Sequence, residues 1–209
     1  MGNFESKGQE WQPKGQPVEV EAYDFPTLAK GKAVPYGIYD MLNNEGWVSV
    51  GVSADTAQIA VNTLDSWWQH MGKERFANAD HLLLTADSGG SNSARGRLWK
   101  LELQKFANTT GLAVTVLHFP PGTSKWNKIE HRMFNHITLN WRGRPLTSFE
   151  VVVECIAATT TSTGLHIKAA LNEEIYETGI KISNKWMNGI NIESHLFHGD
   201  WNYTIRPNK

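Results

Sequence analysis

Two carboxylates stand among apolar neighbours, far apart in the chain. Asp87 closes the apolar run Leu82–Ala86 in LLLTADSGGSN. Glu130 lies in NKIEHRMFNHITLNW, where, at 100° per residue, Met133, Phe134, Ile137 and Trp141 all fall within about 60° of it. That spacing predicts a charge aimed at an apolar face, a costly arrangement unless something pairs with it. A shared cation would pair with both acids. Carboxylates are hard oxygen ligands suited to Mg²⁺ or Mn²⁺. Two such ions, roughly 3.5–4 Å apart, can activate an attacking hydroxyl and stabilise the leaving oxygen of a phosphodiester. Metal-assisted phosphoryl transfer is the chemistry this pair suits, and it usually needs a third acid.

Each acid also has a plainer reading. Asp87 before Ser-Gly-Gly can hydrogen-bond its own backbone and open a turn. Asn127 followed by Glu130 has the spacing of a capping box. The charge distribution favours the chemical reading. From Ser88 to Ser148 nine basic residues stand against Glu102 and Glu130, a net +7, although the whole chain carries −1. A polyanion partner would account for that asymmetry, and so would a solvated basic helix face. Within the basic stretch, Lys125, Lys128, Arg142 and Arg144 could hold phosphates. Trp126, just ahead of Glu130, could stack on a base. His118, His131 and His136 show no zinc spacing and read as surface or hydrogen-bonding residues.

The elements that must position these groups alternate in period. YGIYDML and WVSVGV flank NNEG and predict an antiparallel hairpin. DTAQIAVNTLDSWWQHM reads as a helix capped by Asp55. HLLLTAD reads as a buried strand, and SNSARGRLWKLELQKFANTTG as a helix capped by Ser91 and Asn92 and stopped by Gly111. AVTVLHF is a strand, NKIEHRMFNHITLNW a helix, and SFEVVVECIAATTTST another. Trp67, Trp68, Trp99 and Trp141 fit core stripes. Residues 1–35 read as an extended lead-in with a short strand at Val18–Ala22, residues 36–163 as the core, and residues 164–209 as a carboxyl-terminal extension packed on it. Strands alternating with helices predict an α/β fold, a mixed sheet flanked by helices. Active sites in such sheets gather at carboxyl ends of strands, where Asp87 stands.

Composition sets bounds. At 209 residues, 40% hydrophobic and 20% charged, the chain can bury a core and is not a disordered tract. The lone Cys155 excludes an internal disulfide and reads as a small buried residue. No signal peptide and no membrane span is evident, so a reducing cytoplasmic setting is the default.

LLLTADSGGSN, HFPPGTSKWNKIEHRMFNHITLNWRGRPL and FHGDWNYTIRP together resemble the insertion-sequence DDE transposases, over nearly the whole chain. The resemblance implies a ribonuclease H-like core in which three acids bind two Mg²⁺ or Mn²⁺ ions. It also implies cleavage and strand transfer of DNA, at transposon ends and target, by water or a 3′-hydroxyl. The partners would be DNA and further copies of the chain, and the setting the nucleoid. Asp87 matches the second acid and Glu130 the third, with 42 residues between them. The first acid should lie on a strand ahead of a segment like GNFESKGQEWQPKG, which here follows Met1 directly. The expectation is therefore a sheet lacking its first strand and an impaired enzyme, with Asp40 the nearest substitute acid. Two rival readings are a non-catalytic DNA-binding remnant and, given nine tryptophans and paired acids, a carbohydrate-active protein.

Overall fold

Asp40 ends the first strand and ties the turn that follows. Its carboxylate accepts the N–H groups of Leu42 (2.9 Å) and Asn43 (3.1 Å) and the Asn43 side-chain amide (2.7 Å). Asn44 then adopts a left-handed φ of 54°, which this residue type tolerates, and the chain reverses. The structure, a computed structural model, describes residues 1–21, 29–120 and 122–208. The strand expected at Val18–Ala22 reaches beyond them at Ala22. Within the described part of the lead-in there is one isolated bridge, Phe4 to Glu21.

In chain order the elements are β1 (Val34–Asp40), β2 (Glu45–Gly51), α1 (Ala57–Trp67), α2 (Lys73–Arg75), β3 (His81–Ala86), α3 (Arg97–Thr110) and β4 (Ala113–His118). There follow α4 (Asn135–Asn140), α5 (Phe149–Ala157), β5 (His166–Asn172), α6 (Asn184–Met187), β6 (Ile192–Ser194) and β7 (Asn202–Ile205). The fold is mixed α/β. The chain divides into two compact units, Met1–Ser53 with Ile129–Ile175, and Ala54–Lys128 with Tyr176–Lys209. No helix among the described residues is long and apolar enough to cross a membrane.

In the first unit the expected hairpin forms, with β1 antiparallel to β2 and β5 parallel to β2 on its other side. The middle strand is buried from Gly46 to Gly51. Helix α5 covers β2 and β5, so Val48, Val50, Met133, Ile137, Ile156 and Ile167 share one core. Burial of these apolar side chains is its main source of stability. Ser148 caps α5 by accepting the Val151 N–H at 3.3 Å. Cys155 is buried, as its apolar run suggests.

In the second unit the strand order is β3-β4-β7-β6. The pair β3/β4 is parallel, and β7 is antiparallel to both β4 and β6. Helices α1 and α3 pack together, burying Ile59, Leu64, Trp67, Trp99 and Leu103. The stretch 164–209, which carries no clear period in the sequence, supplies β5 to one sheet and β6 and β7 to the other. Long-range pairing made those strands, which local pattern cannot register.

Three local expectations change. Helix α1 is capped at Thr56, not Asp55, which is exposed. Helix α3 starts after Gly96, because residues 90–92 form a separate 3₁₀ turn and Ser91 and Asn92 cap nothing. Strand β3 is not buried: as an edge strand it alternates, with Leu82 and Leu84 half-buried and Leu83 62% exposed. Gly111 stops α3 as expected, at a φ of 79°.

Candidate active site

Asp87 follows directly on the carboxyl end of β3, where Ala86 pairs with His118 of β4. Three hydrogen bonds hold the chain at and beside it. Phe119 N–H donates to the Ala86 carbonyl at 2.7 Å, the Ser88 hydroxyl donates to the Phe119 carbonyl, and His118 Nδ1 lies 2.9 Å from the Asp87 carbonyl oxygen. The Asp87 residue itself is exposed. A carboxylate on a rigid strand end, facing water, is well set to meet a ligand from solution.

Behind it runs a buried polar chain that the sequence reading missed. Trp99 Nε1–H donates to Tyr203 Oη at 2.9 Å, and Tyr203 Oη lies 3.0 Å from His118 Nε2. The Asp87 carbonyl only accepts and a neutral imidazole has one N–H, so Nε2 accepts from the tyrosine hydroxyl. Nδ1 must then carry the proton and donate to the Asp87 carbonyl, a tautomer assigned from the network. Burial pushes the His118 pKa below its ordinary value, and Lys100 pushes the same way, against the pull of Asp87. Burial likewise raises the Tyr203 pKa well above that of a free phenol. Lys100 sits 5.0 Å from the Tyr203 ring centre, its pKa lowered by burial and partly restored by Asp200. The signal available in sequence was weak: residues 99, 118 and 203 share no local period, and they meet only where α3 packs beside the pairing of β4 with β7.

Glu130 belongs to the other unit, and here the expectation is corrected. The side chain is exposed and does not enter the core. Residues Glu130–Phe134 form a π-helical turn that leads into α4. An i→i+5 turn advances each residue by less than the 100° assumed from the sequence, so Met133 and Ile137 are buried while Glu130 is not. Two glycines seat this turn. A Cβ on Gly37 would lie 2.6 Å from Met133 Cε and 2.8 Å from Phe134 Cζ, and one on Gly46 would collide with Met133 Sδ. Only residues without side chains let the helix settle on the hairpin at this depth.

The basic residues divide between the two units. Lys125, Trp126 and Lys128 are exposed in the second unit, Lys125 and Trp126 within a 3₁₀ turn at Ser124–Trp126. Arg142 and Arg144 are exposed in the first unit. Several cations already have partners: Arg144 Nε is 3.3 Å from Glu10, Lys105 is 2.8 Å from Glu102, and Arg97 donates to Ile182 and Asn184. Asp40, the possible substitute acid, is occupied by its turn.

The donor chemistry of Asp87 and Glu130 suits a hard divalent cation, because both are exposed carboxylates. Among the described residues no group of three or more His, Cys, Asp or Glu side chains could hold a metal ion.

The comparisons agree with the motifs. The family described as the Rhodopirellula transposase DDE domain matches residues 1–207. No curated protein and no solved structure matches the chain.

Proposed function

The chain belongs to that transposase DDE domain family, and from this premise we propose that it is the catalytic domain of an insertion-sequence transposase, acting on DNA phosphodiesters. Asp87 and Glu130 are two of its metal-binding carboxylates. They would hold Mg²⁺ or Mn²⁺, which would supply activation of an attacking hydroxyl and charge neutralisation at a leaving oxygen. Lys125, Trp126, Lys128, Arg142 and Arg144 hold the DNA, at transposon ends and at the target. The active form is a homo-oligomer associated with the nucleoid. The observation that carries this reading is the exposed Asp87, held by its backbone at the carboxyl end of a parallel strand pair, in a chain matched by the family over residues 1–207.

The ribonuclease H-like sheet is part of the proposal. In support, β1 and β3 are both edge strands, each with a strand neighbour on one side only among the described residues. An unpaired edge accepts a further strand. The site's first acid would stand on such an added strand. With that edge unpaired, we expect little or no strand transfer. Incubation with end-containing DNA and Mn²⁺ tests this, and robust cleavage by the chain alone would refute it.

That no group of three donors occurs among the described residues favours one second reading, a DNA-binding remnant without chemistry. It predicts sequence-tolerant, salt-steep DNA affinity and no Mn²⁺ affinity at Asp87.

A further inference from the structure

The second unit also carries a cleft that the reading above leaves idle. It encloses about 420 Å³ and is lined by Leu117 and Pro120 from the end of β4 and by Phe197, His198 and Trp201 from the β6–β7 connection. The rings of His198 and Trp201 stack, with centres 5.9 Å apart and planes at 26°. Phe197 meets His198 edge-on at 4.4 Å. Phe197 is 74% exposed. Folding alone does not explain a cluster of aromatic rings kept at the surface.

The connection holds the rings in place. His198 has a φ of 46°, a conformation such a residue rarely adopts and which its surroundings must enforce. Its carbonyl accepts the N–H groups of Trp201 (2.8 Å) and Asn202 (2.9 Å). His195 N–H donates to the Asn202 carbonyl, and the Asn202 side chain to the Phe197 carbonyl, each at 2.9 Å. The rings are therefore preset, which lowers the ordering cost of binding.

Flat apolar walls of this size suit a planar heterocycle. Position narrows the choice. His118 lines the cleft and also holds the Asp87 carbonyl, so cleft and acid share one residue. The same unit carries the exposed cations Lys125 and Lys128, which suit phosphates. We propose that the cleft receives one unpaired nucleobase of bound DNA, stacked on the His198–Trp201 pair beside the strand end that carries Asp87. This rests on DNA being the substrate. A paired base is closed off by its neighbours, so the occupant comes from a single-stranded or opened segment.

The test uses the whole chain and a short single-stranded oligonucleotide containing 2-aminopurine, read by anisotropy and by 2-aminopurine fluorescence. Binding should quench the fluorescence. Phe197→Ala and Trp201→Ala should each weaken affinity about ten-fold and restore the signal. Leu196→Ala, fully exposed and outside the lining, should change neither. Phe197 is mostly exposed, so its alanine variant carries the test even if Trp201→Ala fails to fold. Unchanged affinity and fluorescence in Phe197→Ala, with DNA still bound, overturns the cleft proposal and leaves the transposase reading standing. Absence of any DNA binding by the unaltered chain overturns both. A dimer that Phe197→Ala dissolves without altering affinity would make the cleft a contact between copies, and would also overturn the proposal.

Discussion

The ring nitrogen Nδ1 of His118 lies 2.9 Å from the backbone carbonyl oxygen of Asp87, 31 residues away in sequence. The imidazole thereby joins two parallel strand ends and fixes the main chain from which the candidate metal ligand projects. His118→Phe keeps the ring's bulk and removes both nitrogens, leaving the Tyr203 hydroxyl and the Asp87 carbonyl without their partner. Loss of a buried hydrogen-bonded group costs about 1–3 kcal/mol. We expect a melting temperature several degrees lower and weaker Mn²⁺ affinity, by calorimetry and by electron paramagnetic resonance.

The same histidine sets a pH dependence. Its folded-state pKa is held below its ordinary value near 6.5, so the unfolded chain binds the proton more readily. Its contribution is intact above that ordinary value. It is lost as pH falls through it toward the lower folded value. Thermal unfolding between pH 8 and pH 5 should therefore show a fall in stability that is shallower in His118→Phe. Equal slopes in the two proteins would remove His118 from the account.

Asp87 and Asp40 should separate cleanly. Asp87→Asn is expected to weaken Mn²⁺ binding at least ten-fold while leaving stability within about 0.5 kcal/mol, as for an exposed substitution. Asp40→Ala removes three turn hydrogen bonds and should destabilise by about 1–2 kcal/mol with Mn²⁺ affinity unchanged. Loss of Mn²⁺ affinity in the Asp40 variant would reinstate it as a metal-binding acid.

Gly46 tests how the Glu130 turn is seated. The new methyl group of Gly46→Ala would overlap the Met133 sulfur, a fully buried atom. Overpacking of this kind typically costs 1–3 kcal/mol. Chemical denaturation should show that loss, and Met133→Ala in the same chain should recover part of it. Full stability in the single variant would mean the turn can lift off the hairpin.

Salt should divide the cations. Removing Lys125, Lys128 or Arg142 singly is expected to lower the slope of log affinity for DNA against log salt by about one each. Glu10→Gln frees Arg144 from its ion pair and should tighten DNA binding modestly at low salt. No change in any of these slopes would place the DNA elsewhere.

Sequence alone determined the local elements and the family. The hairpin, β3, α3 with its glycine stop, and β4 were legible because periodicity and turn chemistry act between near neighbours. Asp87 at a strand end was legible for the same reason. The direction of Glu130 was not, because a π-helical turn rotates residues away from the ideal period and nothing in the composition announces it. Nor was the buried chain Trp99–Tyr203–His118, or the aromatic cleft, since both depend on β7 lying against β4 from 80 or more residues away in sequence. Tertiary structure decided those matters. Strand pairing is fixed by burial and hydrogen bonding across the whole sheet, and that information is not stored in any one window of the chain.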